Sequence, residues 1–265
     1  MTASPIFVFS AGWRSGSTLL QRLITASSEA LIWGESGGAL NQFVDADERY
    51  RQMLGPGNRR FAHGFGGNGS EAFQRFVERR EDGPQQWIAC LNPLLESIRD
   101  CFKKMLEDVY ASPAETLGYR RWGVKEVQCG LNTARFLRDL FPHAKFVFLV
   151  RDPKACLLSI KRHNWMDRPP GLNALAYYSK HWLKLASEFR SADFGKLLRY
   201  EDLITDSGQY QSLMEYLEIV DIPAFDFINK SRIDWQTANQ KNLSWLENIY
   251  IGSALNQEMK HFGYA

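Results

Sequence analysis

Cysteine is scarce in this chain of 265 residues, and none of its four cysteines belongs to a C-x-x-C pair. They lie far apart along the chain, at Cys90, Cys101, Cys129 and Cys156. This spacing indicates neither a zinc site nor a disulfide framework, and it favours a reducing compartment. We therefore expect a cytoplasmic protein that binds no metal.

The sequence also lacks long apolar runs and a large excess of charge of either sign. The longest strongly apolar run, Phe146 to Val150, is far too short to span a bilayer, and the N-terminus lacks the basic segment of a signal peptide. The 32 Lys and Arg residues nearly balance the 30 Asp and Glu residues, and the basic pairs are scattered. The sequence therefore predicts no membrane anchor and no nucleic-acid partner.

The most informative stretch is IFVFSAGWRSGSTLLQRL, residues 6–23. Its apolar start predicts a buried strand, residues 10–16 predict a turn, and helical spacing begins at Ser17. A helix that follows a glycine-rich turn directs free backbone N–H groups and a positive dipole end at one place. Four nearby side chains are further donors: Arg14, Ser15, Ser17 and Thr18. We predict a phosphate-binding loop at residues 12–18, with an ordinary tight strand-to-helix turn as the alternative.

This loop differs from the common nucleotide-binding loop, G-x-x-x-x-G-K-[ST]. Three residues separate Gly12 from Gly16, no lysine follows the second glycine, and the cation Arg14 precedes it. A P-loop kinase fits this pattern less well and stays as an alternative.

Apolar runs that alternate with amphipathic stretches predict a mostly parallel sheet with helices on both faces, a three-layer α/β sandwich. Further strands are predicted at 30–33, 122–127, 144–150 and 196–200, and helices at 39–54, 94–109, 134–141, 154–163, 175–189, 208–217 and 243–262. We interpret 94–109 as a core helix capped by Asn92, with Pro93 at its first position.

Several polar residues follow or interrupt the predicted strands. Glu35 follows the second strand at the edge where α/β sheets bind ligands, although a solvated carboxylate explains it equally well. Lys125 lies in an apolar setting and must either extend to solvent or meet an anion. Arg151 ends the fourth strand, eight residues before Ser159, and can bind a phosphate or form a structural turn with Asp152.

One loop offers a further candidate. Residues 55–70 are rich in Gly and Asn and predict either a lid or a passive surface loop. His63 within it is a candidate base, or an ordinary loop histidine.

Four separated segments together resemble, in their order, the sulfotransferases that use 3′-phosphoadenosine-5′-phosphosulfate (PAPS). GWRSGSTLL resembles the loop that binds the 5′-phosphosulfate, with Arg14 at the cation position. VKEV resembles the strand whose lysine, here Lys125, reaches the donor. The resemblance implies that the loop residues that contact the donor are Arg14, Ser15, Gly16, Ser17, Thr18 and Leu19.

The other two segments resemble the part of the family that binds the adenosine 3′-phosphate. In FLVRDPKACLLSIKRH, the family's arginine and serine map to Arg151 and Ser159 with their eight-residue spacing kept. In LLRYEDL, the tyrosine that contacts the adenine maps to Tyr200.

The catalytic base departs from the cytosolic aryl and steroid sulfotransferases. Their histidine, two residues after the lysine, is Val127 here. The tyrosylprotein branch uses a glutamate about twenty residues after the first loop, and Glu35 lies 21 residues after Arg14. The chain therefore resembles the bacterial and tyrosylprotein-type branches more closely. The cytosolic dimerisation motif is not visible, so the resemblance predicts no oligomeric state.

The resemblance implies one P-loop-like sulfotransferase domain over residues 1–265, with 36–118 and 164–171 on the acceptor side. It implies transfer of the sulfuryl group from PAPS to a hydroxyl or amine of a small-molecule acceptor. Glu35 would be the general base, Arg14 and Lys125 would stabilise the developing charge, PAP would be the product, and no metal would take part. A P-loop small-molecule kinase and a non-catalytic PAP-binding protein are the alternatives.

Overall fold

The computed structural model describes residues 4–54, 93–165, 172–226, 228 and 242–264. The chain forms two compact units, one of residues 1–38 with 110–265 and one of residues 39–109. The candidate lid at 55–70, with His63, and residues 166–171 of the predicted acceptor loop lie outside the described residues. The assignment of all 265 residues to one functional domain stays a prediction.

One or more helices follow each strand along the chain. In order they are β1 (Ile6–Ser10), α1 (Ser17–Thr25), β2 (Ala30–Trp33), α2 (Leu40–Leu54), α3 (Leu95–Leu106), a π-helical turn (Glu107–Ala111), α4 (Ser112–Thr116), β3 (Arg121–Glu126), α5 (Leu131–Leu140), β4 (Lys145–Val150), α6 (Pro153–Arg162), α7 (Leu172–Arg190), β5 (Lys196–Arg199), α8 (Tyr200–Thr205), α9 (Ser207–Tyr216) and α10 (Trp245–His261).

The strands form one parallel sheet in the order β2-β3-β1-β4-β5. β1 is central, with Val8 opposite Lys125 of β3 and Val147 of β4. Because all the strands of this sheet run the same way, the segments that follow β1, β2, β3, β4 and β5 meet at one edge. The predicted α/β class with a mostly parallel sheet is confirmed.

The alternation of side chains along β1 and β4 gives the sheet two different faces. Ile6 and Val8 of β1 belong to an aliphatic core with α1, α8 and α9. Phe7 and Phe9 point to the opposite face, where Phe9 lies 6.1 Å from Phe148 between ring centroids. Phe189 of α7 stacks on Phe148 at 5.0 Å. Helices on both faces therefore complete the three layers.

In the unit of residues 39–109, an ion pair and an aromatic contact join α2 to α3. Arg99 Nε lies 3.1 Å from the Asp47 carboxylate, and the rings of Phe43 and Phe102 are 5.7 Å apart.

The prediction of a core helix over 94–109 was only partly right. The helix begins at Leu95 with Leu94 as the capping residue, so Pro93 is not its first position, and the predicted cap Asn92 lies outside the described residues. Leu106 is buried, but Met105 and Val109 are 36% and 52% exposed. Val109 lies in the π-helical turn at Glu107–Ala111, whose extra residue per turn takes it out of the predicted helical spacing, whereas Met105 precedes that turn.

No described helix combines the length and the apolar character needed to cross a membrane.

Candidate functional site

Residues 11–16 connect β1 to α1 in a tight turn that its own hydrogen bonds hold. The Gly12 N–H donates to the Ser10 carbonyl at 2.7 Å, and the buried Ser15 hydroxyl donates to the Gly12 carbonyl at 2.9 Å. Gly16 is the N-cap residue of α1, with φ of +89° and no side-chain cap. The N–H groups of the first turn of α1 therefore point out of the helix end, where an anion can accept from them.

The first residues of α1 differ in exposure. Ser17 and Leu19 are buried, whereas Thr18 is exposed. Thr18 is thus the hydroxyl of this turn that solvent reaches most easily, and Leu19 anchors the helix in the aliphatic core.

Gly16 makes room for Tyr200. A Cβ atom on Gly16 would lie 2.1 and 2.3 Å from two ring carbons of Tyr200, which is far inside contact distance. Tyr200, 8% exposed, is the first residue of α8 and not the last residue of a strand as the sequence suggested. The structure therefore brings two predicted site residues, Gly16 and Tyr200, into direct contact although 184 positions separate them in the sequence.

We expect Gly16→Ala to destabilise the protein more than Gly12→Ala does. Both glycines have positive φ, +89° and +81°, so both substitutions carry a similar backbone strain of about 1–2 kcal/mol. A Cβ on Gly12 would meet its nearest neighbour, His181 Cδ2, at 3.5 Å, an ordinary contact. Overpacking against Tyr200 should add about 1–3 kcal/mol to the Gly16 variant alone. Urea unfolding measures the stability of both variants, and equal losses would contradict the expected overpacking against Tyr200.

Arg14 is the centre of a polar cluster in the larger unit. It adopts a left-handed backbone conformation with φ of +62°. Its Nε–H donates to the Ser159 hydroxyl at 3.0 Å, and a terminal nitrogen lies 3.3 Å from Nε2 of His163. The Nδ1 of His163 lies 2.7 Å from the Ser159 carbonyl, so Nδ1 donates and Nε2 accepts from Arg14.

His163 is a site residue that the sequence analysis did not identify. It lies four residues after Ser159, and residues at this spacing share a face of a helix. The four-residue spacing from Ser159 could therefore have indicated His163 from the sequence.

Arg151 contacts the same loop from the end of β4. Its Nη1–H donates to the Arg14 carbonyl at 3.0 Å, and its guanidinium carbon lies 4.3 Å from the ring centroid of Tyr200. Its own carbonyl accepts from the Trp182 indole at 3.0 Å, which fixes the backbone. In the described part of the chain, the buried Arg151 Nε has no hydrogen-bond partner.

In the described part of the chain, the hydrogen-bond partners of the Arg14 and Arg151 guanidinium groups are neutral: the Ser159 hydroxyl and His163 for Arg14, and the Arg14 carbonyl for Arg151. Burial lowers the pKa of Arg14, and the positive charge of Arg151 lowers it further. Arginine keeps its charge in proteins, so the repulsion remains. Such a pair favours an anionic ligand.

Lys125 and Glu35 form a second pair on the neighbouring strand. Lys125, which is 4% exposed, pairs through its ammonium group with the Glu35 carboxylate. The Glu35 side chain keeps 33% of its surface exposed. Lys125 is therefore fixed within the protein, whereas Glu35 is accessible to a small molecule.

Glu126 is a second residue near the site that the sequence analysis did not identify. It is 1% exposed, and its Oε1 accepts from the Ser36 N–H at 2.7 Å and from the Ser36 hydroxyl. Burial raises its pKa, while the bonds from Ser36 act in the opposite direction. Nothing in the local sequence indicates this contact, because 90 residues separate its partners.

Trp13 of the loop packs into an aromatic cluster on α7. Its ring centroid lies 4.4 Å from His181, 5.3 Å from Tyr178 and 5.9 Å from Tyr177. The His181 Nε2–H donates to the Val127 carbonyl at 2.8 Å. This cluster anchors the phosphate-loop candidate to α7.

We expect part of the acid sensitivity of the protein to come from His181. Burial lowers its pKa in the folded chain. Its contribution to stability is therefore fully present above the unfolded pKa of about 6.5 and is lost as the pH falls through the folded pKa. His181→Gln should show a smaller drop in Tm between pH 7.5 and 5.5 than the unaltered protein. An equal drop in Tm for the variant and the unaltered protein would show that other groups cause the acid sensitivity.

The predicted residues thus fall into two groups at the same sheet edge. The first comprises the loop residues Arg14, Ser15, Gly16, Ser17, Thr18 and Leu19 with Arg151, Ser159 and Tyr200, and the second comprises Glu35 and Lys125. Among the described residues, no group of three or more His, Cys, Asp or Glu side chains could hold a metal ion.

Comparison with known proteins identifies the family of the chain. The model of the sulfotransferase family matches residues 5–222, most of the chain. The chain belongs to the sulfotransferase family. No curated protein matches it significantly.

Among solved structures, the sulfotransferase domain of the Synechococcus PCC 7002 olefin synthase has 19% identity and a TM-score of 0.50 over 99% of this chain and 95% of its own. The sulfotransferase domain from the curacin biosynthetic pathway has 18% identity and a TM-score of 0.48 over 97% and 99%. A sulfotransferase from Alicyclobacillus acidocaldarius has 13% identity and a TM-score of 0.48 over 99% and 97%. The Synechococcus domain supports the fold.

Proposed function

We propose that this sulfotransferase moves the sulfuryl group from PAPS to a hydroxyl or amine of a small-molecule acceptor. The observation that carries the proposal is the pair of guanidinium groups, Arg14 and Arg151, beside the uncapped N-terminus of α1. A donor with phosphate groups at both the 3′ and 5′ positions supplies the negative charges that such a site favours. The hydrogen bonds of Arg14 to Ser159 and His163 make the proposed 3′-phosphate and 5′-phosphosulfate positions neighbours.

In the proposed reaction, the acceptor atom attacks sulfur as the bond from sulfur to the bridging oxygen breaks. Negative charge develops on that oxygen and on the departing 5′-phosphate of PAP. Arg14, Lys125 and the first-turn N–H groups of α1 would stabilise it, as preorganised donors do in phosphoryl transfer. Ser17 and Thr18 would add their hydroxyls. Positioning and charge stabilisation thus account for most of the proposed catalysis.

Glu35 would take the proton that the acceptor loses. Its accessible carboxylate and its pairing with the buried Lys125 support this role, because the lysine holds the carboxylate in one orientation. A general base of this kind contributes about 10²–10⁴-fold to the rate.

The acceptor class rests on less direct support. The Synechococcus domain is part of an olefin synthase, which agrees with a small-molecule acceptor. The acceptor-side segments, residues 36–118 and 164–171, stay a prediction. The wide spacing of the four cysteines along the chain supports the proposed cytoplasmic setting.

Calorimetric titration tests the donor assignment. We expect PAP to bind without a metal and far more tightly than AMP, which lacks the 3′-phosphate. Sulfur-labelled PAPS should then label at least one acceptor in a panel of phenols, alcohols and amines. Preference for ATP with Mg²⁺ would favour a kinase, and PAP binding without transfer to any acceptor or to water would favour a non-catalytic binding protein.

A further inference from the structure

We propose that Glu126 is a positioning residue that fixes the catalytic carboxylate of Glu35 by binding Ser36. This inference rests on the proposed function, in which Glu35 is the base. Glu126 itself touches neither substrate nor donor in this scheme, and it acts through the backbone of its partner.

The geometry joins two consecutive residues of β3 to two consecutive residues that follow β2. Lys125 pairs with Glu35, and Glu126 accepts both the N–H and the hydroxyl of Ser36 on one oxygen. β2 and β3 are neighbouring strands, with Trp33 opposite Val124. The two contacts therefore extend the register of the strand pair beyond its last backbone pairing.

The segment that carries Glu35 needs such an attachment, because glycines flank it. Gly34 precedes it, and a Cβ there would meet no atom within 4 Å. Gly37 and Gly38 follow, both with positive φ. Glycine leaves the backbone many accessible conformations, and a base displaced by about 1 Å can lose 10²-fold in rate. The hydrogen bonds from Ser36 to Glu126 therefore restrict a segment that its flanking glycines would otherwise leave free to change conformation.

Burial gives Glu126 the rigidity that this role requires. It is 1% exposed, at the end of a central strand pair, so its position is set by the core and not by solvent. In the described residues its second oxygen, Oε2, has no hydrogen-bond partner. The Glu126 carboxyl is therefore buried with one oxygen unpaired, and its other oxygen accepts from Ser36. A neutral acceptor of the same shape should serve the same purpose.

The experiment compares Glu126→Met, which removes the acceptor, with Glu126→Gln, which keeps an oxygen at the same place. The readout is single-turnover transfer from sulfur-labelled PAPS to the best acceptor of the panel, with hydrolysis by water measured in parallel. We expect Glu126→Met to lower the rate about 10–100-fold with PAP affinity nearly unchanged, and Glu126→Gln to stay within about threefold. Equal rates for Glu126→Met and the unaltered protein would overturn the proposal.

A double variant separates positioning from a general loss of structure. If Glu126 acts only through Glu35, Glu35→Gln with Glu126→Met should be no slower than Glu35→Gln alone, because coupled residues are not additive. A fully additive loss would show that Glu126 has a merely structural role. If Glu126→Met fails to fold, Ser36→Ala replaces it, with an expected loss of about 3–10-fold and the same lack of additivity.

Glu258 provides a matched control. It is also a buried carboxylate, 5% exposed, and it pairs with Arg190 on α7 at 2.8 Å. Glu258→Met should lower Tm and leave the transfer rate per folded molecule unchanged. If the unaltered protein neither binds PAP nor transfers sulfate, the proposed function fails. If Glu35→Gln is inactive but Glu126→Met is not impaired, the positioning role alone fails.

Discussion

Replacing Glu35 with glutamine should lower kcat by about 10²–10⁴-fold and leave PAP affinity unchanged. Glutamine keeps an oxygen that can accept from the Lys125 ammonium, so the buried lysine does not lose its partner. It cannot accept the acceptor's proton, and the step that needs a base slows. The measurements are steady-state kinetics with the acceptor found by screening and calorimetric titration with PAP.

Glu29→Gln is the control for this prediction. Glu29 precedes β2, whereas Glu35 follows it, so the two carboxylates belong to opposite ends of one strand. Glu29 accepts from the N–H groups of Val220 and Asp221, both at 2.7 Å. Its replacement should leave kcat unchanged. Full activity in Glu35→Gln would show that another group, or the substrate itself, removes the proton.

Replacing Arg151 with alanine should weaken PAP binding by about 100-fold, with little effect on AMP. A charged arginine that donates two hydrogen bonds to a phosphate contributes about 3 kcal/mol, which corresponds to that factor. AMP lacks the 3′-phosphate that we assign to Arg151, so its affinity should stay within about threefold. Calorimetric titration with both nucleotides measures the difference.

Arg199 is a matched control, because it also lies over a tyrosine ring at the end of a strand. Its guanidinium carbon is 4.8 Å from the ring of Tyr264, compared with 4.3 Å for Arg151 over Tyr200. Arg199→Ala should therefore lose a similar stacking contact without losing PAP affinity. If Arg151→Ala weakens AMP and PAP equally, its role is to hold Tyr200 and not to bind the 3′-phosphate.

The strands were predictable because their apolar runs are short, continuous and bounded by turns. FVFLV marks β4 within one residue of its observed start, and IFVF marks β1. Helix ends were less predictable, because the π-helical turn after α3 and the start of α8 at Tyr200 depend on tertiary packing. No local pattern distinguishes Tyr200 as the end of a strand from Tyr200 as the start of a helix.

The site was predictable only as separate residues. The order of the four segments indicated Arg14, Lys125, Arg151 and Tyr200, but not which of them meet. The contacts of Arg14 with Ser159 and His163, and of Glu126 with Ser36, join residues from 90 to 149 positions apart. Contacts at such separations are set by strand order and helix packing, which one sequence does not specify.

The order of strands in the sheet also has a consequence for folding kinetics. β1 pairs with β3 and β4, which lie far along the chain, so the central pairings close long loops before they gain any contact energy. A topology of this kind folds slowly compared with one built from local contacts. Because Arg151 after β4 and Tyr200 of α8 contact the proposed phosphate loop, we expect binding competence to develop only when the sheet is complete. A nascent chain that ends before Tyr200 contains the loop sequence but lacks the aromatic ring that covers Gly16.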